Sequence, residues 1–225
     1  MPSKTVYEEQ PFYRDRQDAG QKLSDDLTGY SGGDAVILAI PRGGVPVAVE
    51  VAERLGAVLD VIVTRKIPIP FDPEAGYGAV ADDGTVVLNE PLVKSLRLTE
   101  KQIQRQAAEV KAEMDRRIAL YRDVLPFPRL ENRTAILVDD GLASGFTMIA
   151  AIESVRRRQA GRVVVAVPVA SDSAFQRVRP LADEVVCPII AKTYRFGVAS
   201  LYRHWHDLSD EEVISLLERW RRQHG

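Results

Sequence analysis

Short runs of valine, isoleucine and leucine alternate along the chain with stretches in which apolar residues recur every three or four positions. Apolar runs of this length, almost unbroken by polar residues, are typical of strands buried on both faces of a parallel sheet. Because such strands alternate with helical stretches, the pattern predicts an α/β fold: a doubly wound, mainly parallel sheet flanked by helices. The predicted strands span residues 35–40, 59–64, 134–138, 163–169 and 184–189, and the predicted helices span 47–55, 147–158 and 173–181.

Residues 65–92 interrupt this alternation, because proline, glycine and aspartate are dense there. A long irregular stretch inside a compact domain is usually functional or mobile, so we expect a flexible loop. Within it, the D-D-G sequence at 82–84 separates two short apolar runs and predicts a hairpin turn.

Two more helices are predicted in the second half of the chain. Residues 99–122 form a long amphipathic stretch that Thr99 can cap. We expect this helix to pack on the core or on a second subunit, and a lid over a site is the alternative. The S-D-E-E sequence at 209–212 is a capping-box pattern and predicts a last helix that begins there.

Composition places the chain among single globular domains, with 225 residues, 45% of them hydrophobic. Basic and acidic residues nearly balance at 30 and 32, so nothing electrostatic favours nonspecific binding to nucleic acid or an anionic membrane. Cys187 is the single cysteine, which excludes an intramolecular disulfide. The start lacks the apolar core of a signal peptide, and the longest apolar runs fall far short of the ~20 residues of a membrane helix. We therefore expect a cytoplasmic protein that contacts neither membranes nor nucleic acid.

The sequence I-L-V-D-D-G-L-A-S-G-F-T-M at 136–148 carries the strongest functional signal. A predicted strand ends at Val138, Asp139 and Asp140 follow, and a loop of small residues then opens a helix. Backbone N–H groups in such a loop and at a helix N-terminus bind anions, which predicts a phosphate monoester site. The two carboxylates suit sugar hydroxyls or a Mg²⁺ that the ligand carries. The predicted phosphate-binding residues are Gly141, Leu142, Ala143, Ser144, Gly145, Phe146 and Thr147.

Two other phosphate motifs are excluded. A Walker A loop requires a lysine where Phe146 stands, and the dinucleotide fingerprint G-x-G-x-x-G is absent after the first strand. A plain strand-to-helix turn is disfavoured, because consecutive acids at the buried end of a strand cost desolvation free energy unless they are paired.

The order of an apolar strand, two acids and a small-residue loop with Ser-Gly and Thr resembles the hallmark of type I phosphoribosyltransferases. In that family the loop binds the 5-phosphate of phosphoribosyl pyrophosphate (PRPP), and the acids hold the ribose 2- and 3-hydroxyls. The resemblance implies a Mg²⁺-dependent enzyme that transfers the phosphoribosyl group to a nitrogen nucleophile, a nucleobase or small amine, and releases pyrophosphate. It assigns Asp139 and Asp140 to catalysis and to Mg²⁺, directly or through PRPP. Ala143 departs from the many members that have an acid–base Asp there, and is shared with adenine-type members.

The resemblance assigns pyrophosphate to a second loop, P-R-G-G at 41–44, which follows the first predicted strand. Arg42 can meet pyrophosphate bidentately, and Gly43 and Gly44 permit close approach of the backbone. We expect the two loops side by side, at the switch point of the sheet. Arg65 and Lys66 are similar to an R-K pair of adenine-type members and would add positive charge at the leaving group; a solvated pair is the alternative. Arg42 and Lys66 are thus the expected catalytic cations.

Residues 65–92 match the family's flexible loop, which folds over the site and excludes water. Glu74 and Tyr77 are the candidate residues of that loop.

The family also has a variable hood that reads the acceptor. The resemblance places it in residues 1–30 and 188–210, around a core of about 31–187. Aromatic residues of the second segment can stack on a ring, with packing inside the hood as the alternative. His204 and His206 lack the further ligands of a metal site. The candidate acceptor-binding residues are Tyr194, Phe196, Tyr202 and Trp205.

Sequences at 14–20, 195–197 and 209–212 resemble a little-characterised bacterial and archaeal subgroup of the family, over essentially the whole chain. The subgroup leaves the acceptor open, and the family is commonly dimeric, so we expect a homodimer. The alternative function is a regulator of the same fold that senses PRPP or nucleotides without catalysis, with which Ala143 is compatible. PRPP synthetase is disfavoured, because that enzyme is a tandem of two such domains.

Overall fold

The computed structural model of the chain describes residues 3–7, 10–69, 71–193 and 196–224, without the side chains of residues 72–74. The helices are α1 (Arg16–Asp25), α2 (Gly44–Leu55), α3 (Glu90–Ser95), α4 (Glu100–Val124), α5 (Phe146–Arg157), α6 (Asp172–Val178) and α7 (Asp210–His224). The strands are β1 (Lys4–Val6), β2 (Val36–Ala39), β3 (Val58–Val61), β4 (Thr64–Ile69), β5 (Asp72–Ala81), β6 (Val86–Leu88), β7 (Thr134–Val138), β8 (Arg162–Ala166), β9 (Val169–Ser171), β10 (Glu184–Val186) and β11 (Ile189–Ala191). Across these ranges, no helix is both long and apolar enough to cross a membrane.

The core of the molecule is a parallel sheet with the strand order β10-β8-β7-β2-β3. Its central strands β2 and β7 are apolar on both faces, and the four residues of β2 are fully buried. The helices α2, α4 and α7 contribute apolar residues to the cluster on one face, and α5 and α6 to the cluster on the other. The predicted fold class, a mainly parallel sheet flanked by helices, is therefore confirmed.

Two predicted strands are each divided by a proline. Residues 163–169 form β8 and β9 with Pro168 near the break, and residues 184–189 lie across β10 and β11 with Pro188 between them. Proline has no backbone N–H to donate to a neighbouring strand, so the backbone leaves the core sheet at each of these two prolines. Beyond the break, β9 and β11 pair with each other in a second sheet.

That second sheet has the order β1-β11-β9 and is parallel throughout. It joins the two ends of the chain, since Lys4 lies opposite Ile189. We call this sheet, with α1 and residues 196–208, the hood. Its apolar cluster comprises Val6, Tyr13, Ala19, Val169, Ile189, Ala191, Leu201 and Tyr202.

The prediction of an irregular loop over 65–92 is wrong. These residues form an antiparallel sheet, β4-β5-β6, followed by α3, and the D-D-G turn joins β5 to β6 as predicted. Apolar residues of the sheet join both of the large core clusters. Tyr77, one candidate for a mobile loop, is fully buried and donates a hydrogen bond to Gln106 of α4 at 2.8 Å. The Glu74 side chain lies outside the described residues.

The long helix α4 begins and packs as the sequence predicts. Thr99 caps it and exchanges hydrogen bonds with Gln102 in a capping box. Met114 and Tyr121 on its inner face are fully buried in the core, so α4 is a packed element and the lid alternative is not supported. The capping box of α7 is present as well, between Ser209 and Glu212.

Candidate active site

The two predicted ligand loops lie side by side, because β2 and β7 are neighbours in the parallel sheet and both loops leave its carboxyl edge. The P-R-G-G loop at 41–44 joins β2 to α2, and its Pro41–Arg42 peptide bond is cis. A Cβ atom on Gly44 would lie 2.6 Å from the Val138 carbonyl oxygen, and one on Gly43 would overlap the Asp140 carboxylate. Only glycine permits the two loops to approach this closely.

The phosphate loop, residues 141–147, presents a row of unused backbone donors. Ala143 and Ser144 are exposed at its tip, and α5 begins at Phe146. Within the described part of the chain, no hydrogen bond has the backbone N–H of any residue from Ala143 to Met148 as its donor. Unpaired N–H groups at a helix N-terminus form an anion site, and here they are combined with the Ser144 and Thr147 hydroxyls.

The base of this loop is fixed to the strand β9. The Leu142 N–H donates to the Val169 carbonyl, and the Leu142 carbonyl accepts from the Ser171 N–H, both at 2.9 Å. The Ser171 hydroxyl donates to the Ala143 carbonyl at 2.8 Å. Leu142 thus anchors the loop with both of its backbone groups, whereas the N–H groups of the residues from Ala143 to Met148 have no acceptor within the described part of the chain.

Two further contacts shape the loop. Gly145 has a φ of +83°, which favours glycine, and it turns the chain into α5. Arg177 of α6 donates a hydrogen bond to the Ser144 carbonyl, and its guanidinium lies 5.0 Å from the centre of the Phe146 ring. Arg177 was not predicted from the sequence, since no motif links α6 to the loop. Arg177 brings a positive charge to the edge of the predicted phosphate site.

Asp139 and Asp140 lie at the carboxyl end of β7, where little solvent reaches them. The Asp139 carboxylate accepts the Asp140 N–H at 2.8 Å. Burial and the neighbouring Asp140 charge raise the pKa of Asp139 well above its usual value. Burial raises the pKa of Asp140 as well, and the charge of Arg16 opposes that rise. Two adjacent, poorly solvated carboxylates are costly for folding alone, so this pair is a candidate for ligand binding.

Arg16 is the charged partner of Asp140 and was not predicted from the sequence. Its Nε–H donates to Asp140 Oδ2 at 2.8 Å, and its Nη1–H donates to the His206 carbonyl at 2.8 Å. Its guanidinium lies 3.7 Å from the centre of the Trp205 ring. One signal was present, because Arg16 opens α1 immediately after the N-cap Asp15, and a cation is unfavourable at that end of a helix dipole.

The predicted cations of the pyrophosphate side have different surroundings. Arg42 is half-buried beside Gly43. Burial raises the pKa of the Tyr121 hydroxyl, and the positive charge of Arg42 opposes that rise. The Arg65 guanidinium forms an ion pair with Glu113 of α4 at 2.6 Å. Arg65 and Lys66 line a cleft of about 190 Å³ between β4 and α4. The structure thus ties Arg65 to α4, whereas Arg42 lies within the loop next to the carboxylates.

The predicted acceptor-binding residues also differ from one another in burial and in contacts. Tyr202 is only 4% exposed, and its hydroxyl donates to the Asp140 carbonyl at 2.6 Å, so it supports the carboxylate pair from behind. Phe196 is half-buried against the hood cluster, and one face of Trp205 is covered by Arg16. Tyr194 lies outside the described residues. Among the residues that are described, no group of three or more His, Cys, Asp or Glu could hold a metal ion, and His206 pairs with Glu212.

Comparison with known proteins decides the family. Residues 79–201, more than half of the chain, match the family described as "Phosphoribosyl transferase domain". The chain belongs to the phosphoribosyltransferase family. The matched part of this phosphoribosyltransferase includes the carboxylate pair and the phosphate loop, whereas the P-R-G-G loop precedes it. The resemblance to type I members that the motifs indicated is confirmed.

Relatives of this phosphoribosyltransferase support the assignment. A protein of Mycobacterium tuberculosis, provisionally named as a phosphoribosyl transferase in each of two strains, is 41% identical over 214 residues, or 94% of this chain. The chain spans about half the length of these curated relatives, 47%. The crystal structure of TT1426 from Thermus thermophilus is 38% identical and superposes with a TM-score of 0.78. That match covers 92% of this chain and 98% of TT1426, so most of the fold is shared.

Proposed function

We propose that this phosphoribosyltransferase transfers the 5-phosphoribosyl group of PRPP to a nitrogen nucleophile and releases pyrophosphate. The observation that carries the proposal is the row of unused N–H groups from Ala143 to Met148, directly beside the carboxylate pair. This order of groups matches a ligand in which a phosphate monoester is attached to a sugar with free hydroxyls. The P-R-G-G loop on the next strand adds an arginine for a second anionic group.

The proposed roles follow from these positions. Residues 143–147 and the start of α5 bind the 5-phosphate, and Asp139 and Asp140 orient the ribose through its hydroxyls. Arg42 stabilises the negative charge that develops on the departing pyrophosphate, with Lys66 as the second candidate. A nitrogen of the acceptor attacks C1 while the C1–oxygen bond to pyrophosphate breaks, through a transition state of oxocarbenium character. Holding both partners in line supplies much of the rate.

The donor set also suits Mg²⁺. Carboxylate oxygens are hard ligands, and Mg²⁺ is commonly held by one or two carboxylates together with substrate phosphates. Asp139 and Asp140 provide two carboxylates, of which Asp140 Oδ2 is already bound to Arg16. These residues therefore fit an ion that arrives with PRPP. When bound, the ion would neutralise charge on the pyrophosphate.

The first test removes both carboxylate charges. Asp139→Asn together with Asp140→Asn should abolish PRPP binding in calorimetry and leave the fold intact by circular dichroism, because asparagine keeps the size of each side chain and its amide oxygen can still accept the bonds from Arg16 and the Asp140 N–H. The control is Asp115→Asn with Asp123→Asn, two exposed acids of α4, which should bind PRPP as the wild type does. Unchanged PRPP binding in the Asp139/Asp140 variant would overturn the site assignment.

The acceptor is identified by a second experiment. Release of pyrophosphate from PRPP and Mg²⁺ is measured across a panel of nucleobases and small amines. Release with one acceptor establishes the transferase and its substrate together. PRPP binding without release for any acceptor would instead support a regulator that senses PRPP. Ala143, exposed at the loop tip, provides no acid–base group for the acceptor, so that group must come from elsewhere or from the ligand.

We also propose a homodimer, as the family resemblance implies. Light scattering on the purified protein tests this directly. A mass near twice 25.0 kDa supports the dimer, and a mass near 25.0 kDa contradicts it.

A further inference from the structure

Arg16 joins three parts of the molecule through one side chain. It belongs to α1 of the hood, its Nε–H binds the Asp140 carboxylate of the core, and its Nη1–H binds the His206 carbonyl in the C-terminal segment. The contacts to Asp140 and His206 span 124 and 190 residues of sequence. Its stacking on Trp205 at 3.7 Å adds a second contact to the C-terminal segment.

The burial of Arg16 costs free energy of folding, which its structural contacts alone do not explain. Arg16 is only 7% exposed, and burying a guanidinium costs free energy that a single ion pair often does not recover. It also lies at the helix end where the dipole disfavours a cation. A well-packed apolar side chain would serve a purely structural contact at least as well. The burial and location of Arg16 therefore indicate a role in the candidate active site beyond packing.

The contacts of Asp140 indicate what is gained. Arg16 fixes its carboxylate through Oδ2, and the Tyr202 hydroxyl fixes its backbone carbonyl at 2.6 Å. Both groups come from the hood, whereas Asp140 itself follows a core strand. Asp140, the carboxylate proposed to accept a hydrogen bond from a ribose hydroxyl, is thus oriented by the hood. The hood is also the part of the molecule expected to bind the acceptor.

We propose that Arg16 is a positioning residue of the transfer: it orients the Asp140 carboxylate toward the ribose and aligns the hood over the same sugar. This inference rests on the proposed function. Its basis is the forked geometry of the guanidinium, whose Nε–H and Nη1–H reach two different acceptors at once. A lysine has one compact ammonium group and cannot hold both acceptors from this position.

The experiment compares Arg16→Met and Arg16→Lys with the wild type, and Arg14→Met is the control. Arg14 is an arginine two residues earlier whose side chain is 58% exposed. Calorimetry measures affinity for PRPP and, separately, for inorganic pyrophosphate. Arg16→Met should weaken PRPP binding roughly 10- to 100-fold, the usual loss when a supporting group of a site is removed. Pyrophosphate affinity, measured without Mg²⁺, should stay within about twofold of wild type, because pyrophosphate alone contains no sugar hydroxyl for Asp140 to bind.

Two further results belong to the same prediction. Arg16→Lys should recover part of the PRPP affinity, since it restores the charge beside Asp140 and not the bond to His206. In an Asp140→Asn background, Arg16→Met should change PRPP affinity far less than in the wild type, because Arg16 acts through that carboxylate. Arg14→Met should match the wild type throughout.

Each contrary outcome is informative. Wild-type PRPP affinity in Arg16→Met would overturn the inference, and so would an equal loss of PRPP and pyrophosphate, which indicates a general structural role. If Arg16→Met does not fold, Arg16→Lys is judged by the same two affinities. If the wild type itself binds no PRPP, the proposed function fails first. If the wild type binds PRPP and the Arg16 variants bind it equally well, only the role of Arg16 fails.

Discussion

The absence of a side chain at Gly43 leaves the space that the Asp140 carboxylate occupies. A Cβ atom there would overlap the Asp140 carboxylate, so even alanine must displace that group. We expect Gly43→Ala to weaken PRPP binding roughly 10- to 100-fold by misplacing the carboxylate, while the protein stays folded.

The control for this substitution is Gly29→Ala, the same chemical change at a position where a Cβ atom meets nothing within 4 Å. Calorimetry with PRPP compares the two variants. Equal affinities for Gly43→Ala, Gly29→Ala and wild type would show that the close approach of the two loops is not needed for binding.

The site residues that could be predicted from the sequence are those that lie in continuous motifs. The carboxylate pair, the phosphate loop and the glycines of the P-R-G-G loop are all adjacent in sequence to the strands that position them. Arg16 and Arg177 were missed, because each reaches its partner across a long separation, 124 residues for Arg16 and 33 for Arg177. Contacts of that kind depend on how helices dock, which no local pattern encodes.

Among the elements, α4 is fastened to the core by a buried ion pair. Arg122 near its C-terminal end donates to both oxygens of Asp60 in β3, at 2.7 and 2.8 Å, and to the Val61 carbonyl at 2.7 Å. Asp60 is 1% exposed. Burial raises its pKa to about 6, and the Arg122 charge acts in the opposite direction. Removing Arg122 would leave this carboxylate buried without its counterion.

We expect Arg122→Met to lower the free energy of unfolding by about 3 kcal/mol at neutral pH, the lower part of the range for broken buried pairs, since Arg122 is 22% exposed. In the wild type, the raised pKa means that folded Asp60 keeps a proton that the unfolded chain has released. Stability from this group is therefore complete at low pH and is lost as pH rises through about 6. Without Arg122 the pKa rises further, so the loss extends to higher pH.

Urea unfolding at pH 5 and pH 8 measures this effect. The difference between wild type and Arg122→Met should be larger at pH 8, where Asp60 is ionised, than at pH 5. Arg116→Met, an exposed arginine on the same helix, should follow the wild type at both values. An equal loss at the two pH values for Arg122→Met would mean that Asp60 ionisation does not contribute.

The elements also show where composition misleads. Residues 64–88 have the prolines and glycines of a loop and nonetheless form a sheet. Pro68 lies in β4 at one end of that sheet, beside a register shift where a ladder bond is dispensable. Gly78 lies so close to the Val87 carbonyl that a Cβ atom would clash, so this glycine permits tight strand pairing. A high content of glycine and proline therefore does not by itself exclude a sheet, because at suitable positions both residues are compatible with paired strands.

For the molecule as a whole, the core and the hood should differ in local stability. β7 is paired on both sides within the core sheet and is apolar throughout most of its length, whereas β1 ends the hood sheet with Lys4 and Thr5 exposed. Amide exchange follows local opening, which is rare in central buried strands. We expect amides of β7 to exchange most slowly and those of β1 and β11 markedly faster.

Hydrogen exchange with mass spectrometry tests this with and without PRPP. Because Arg16 and Tyr202 connect the hood to Asp140, PRPP should slow exchange in α1 and in residues 196–208 as well as in the phosphate loop. The α4–β7 connection, which enters the core sheet at the amino end of β7 and so lies at the opposite edge from the site, serves as an internal reference that should not change. Protection limited to the phosphate loop would contradict the coupling of hood and site.

The fold of the whole molecule followed from strand and helix alternation, because a parallel sheet buried on both faces leaves a strong apolar pattern. The hood was harder to predict, since its strands are three residues each and two of them continue apolar runs of the core. Their separation depends on Pro168 and Pro188, whose effect on pairing becomes evident only in three dimensions.

The bond from the Tyr202 hydroxyl to the Asp140 carbonyl also orders events during synthesis. The two residues are separated by 62 positions, so on the ribosome the acid is translated well before its support. At roughly 5–20 residues per second, the delay is about 3–12 s. During that interval β2, β3 and β7 can already pair while the Asp140 carbonyl lacks its Tyr202 partner. A nascent chain would thus pair these strands before Tyr202 completes the binding centre, and α7, which follows Tyr202, would close the core afterwards.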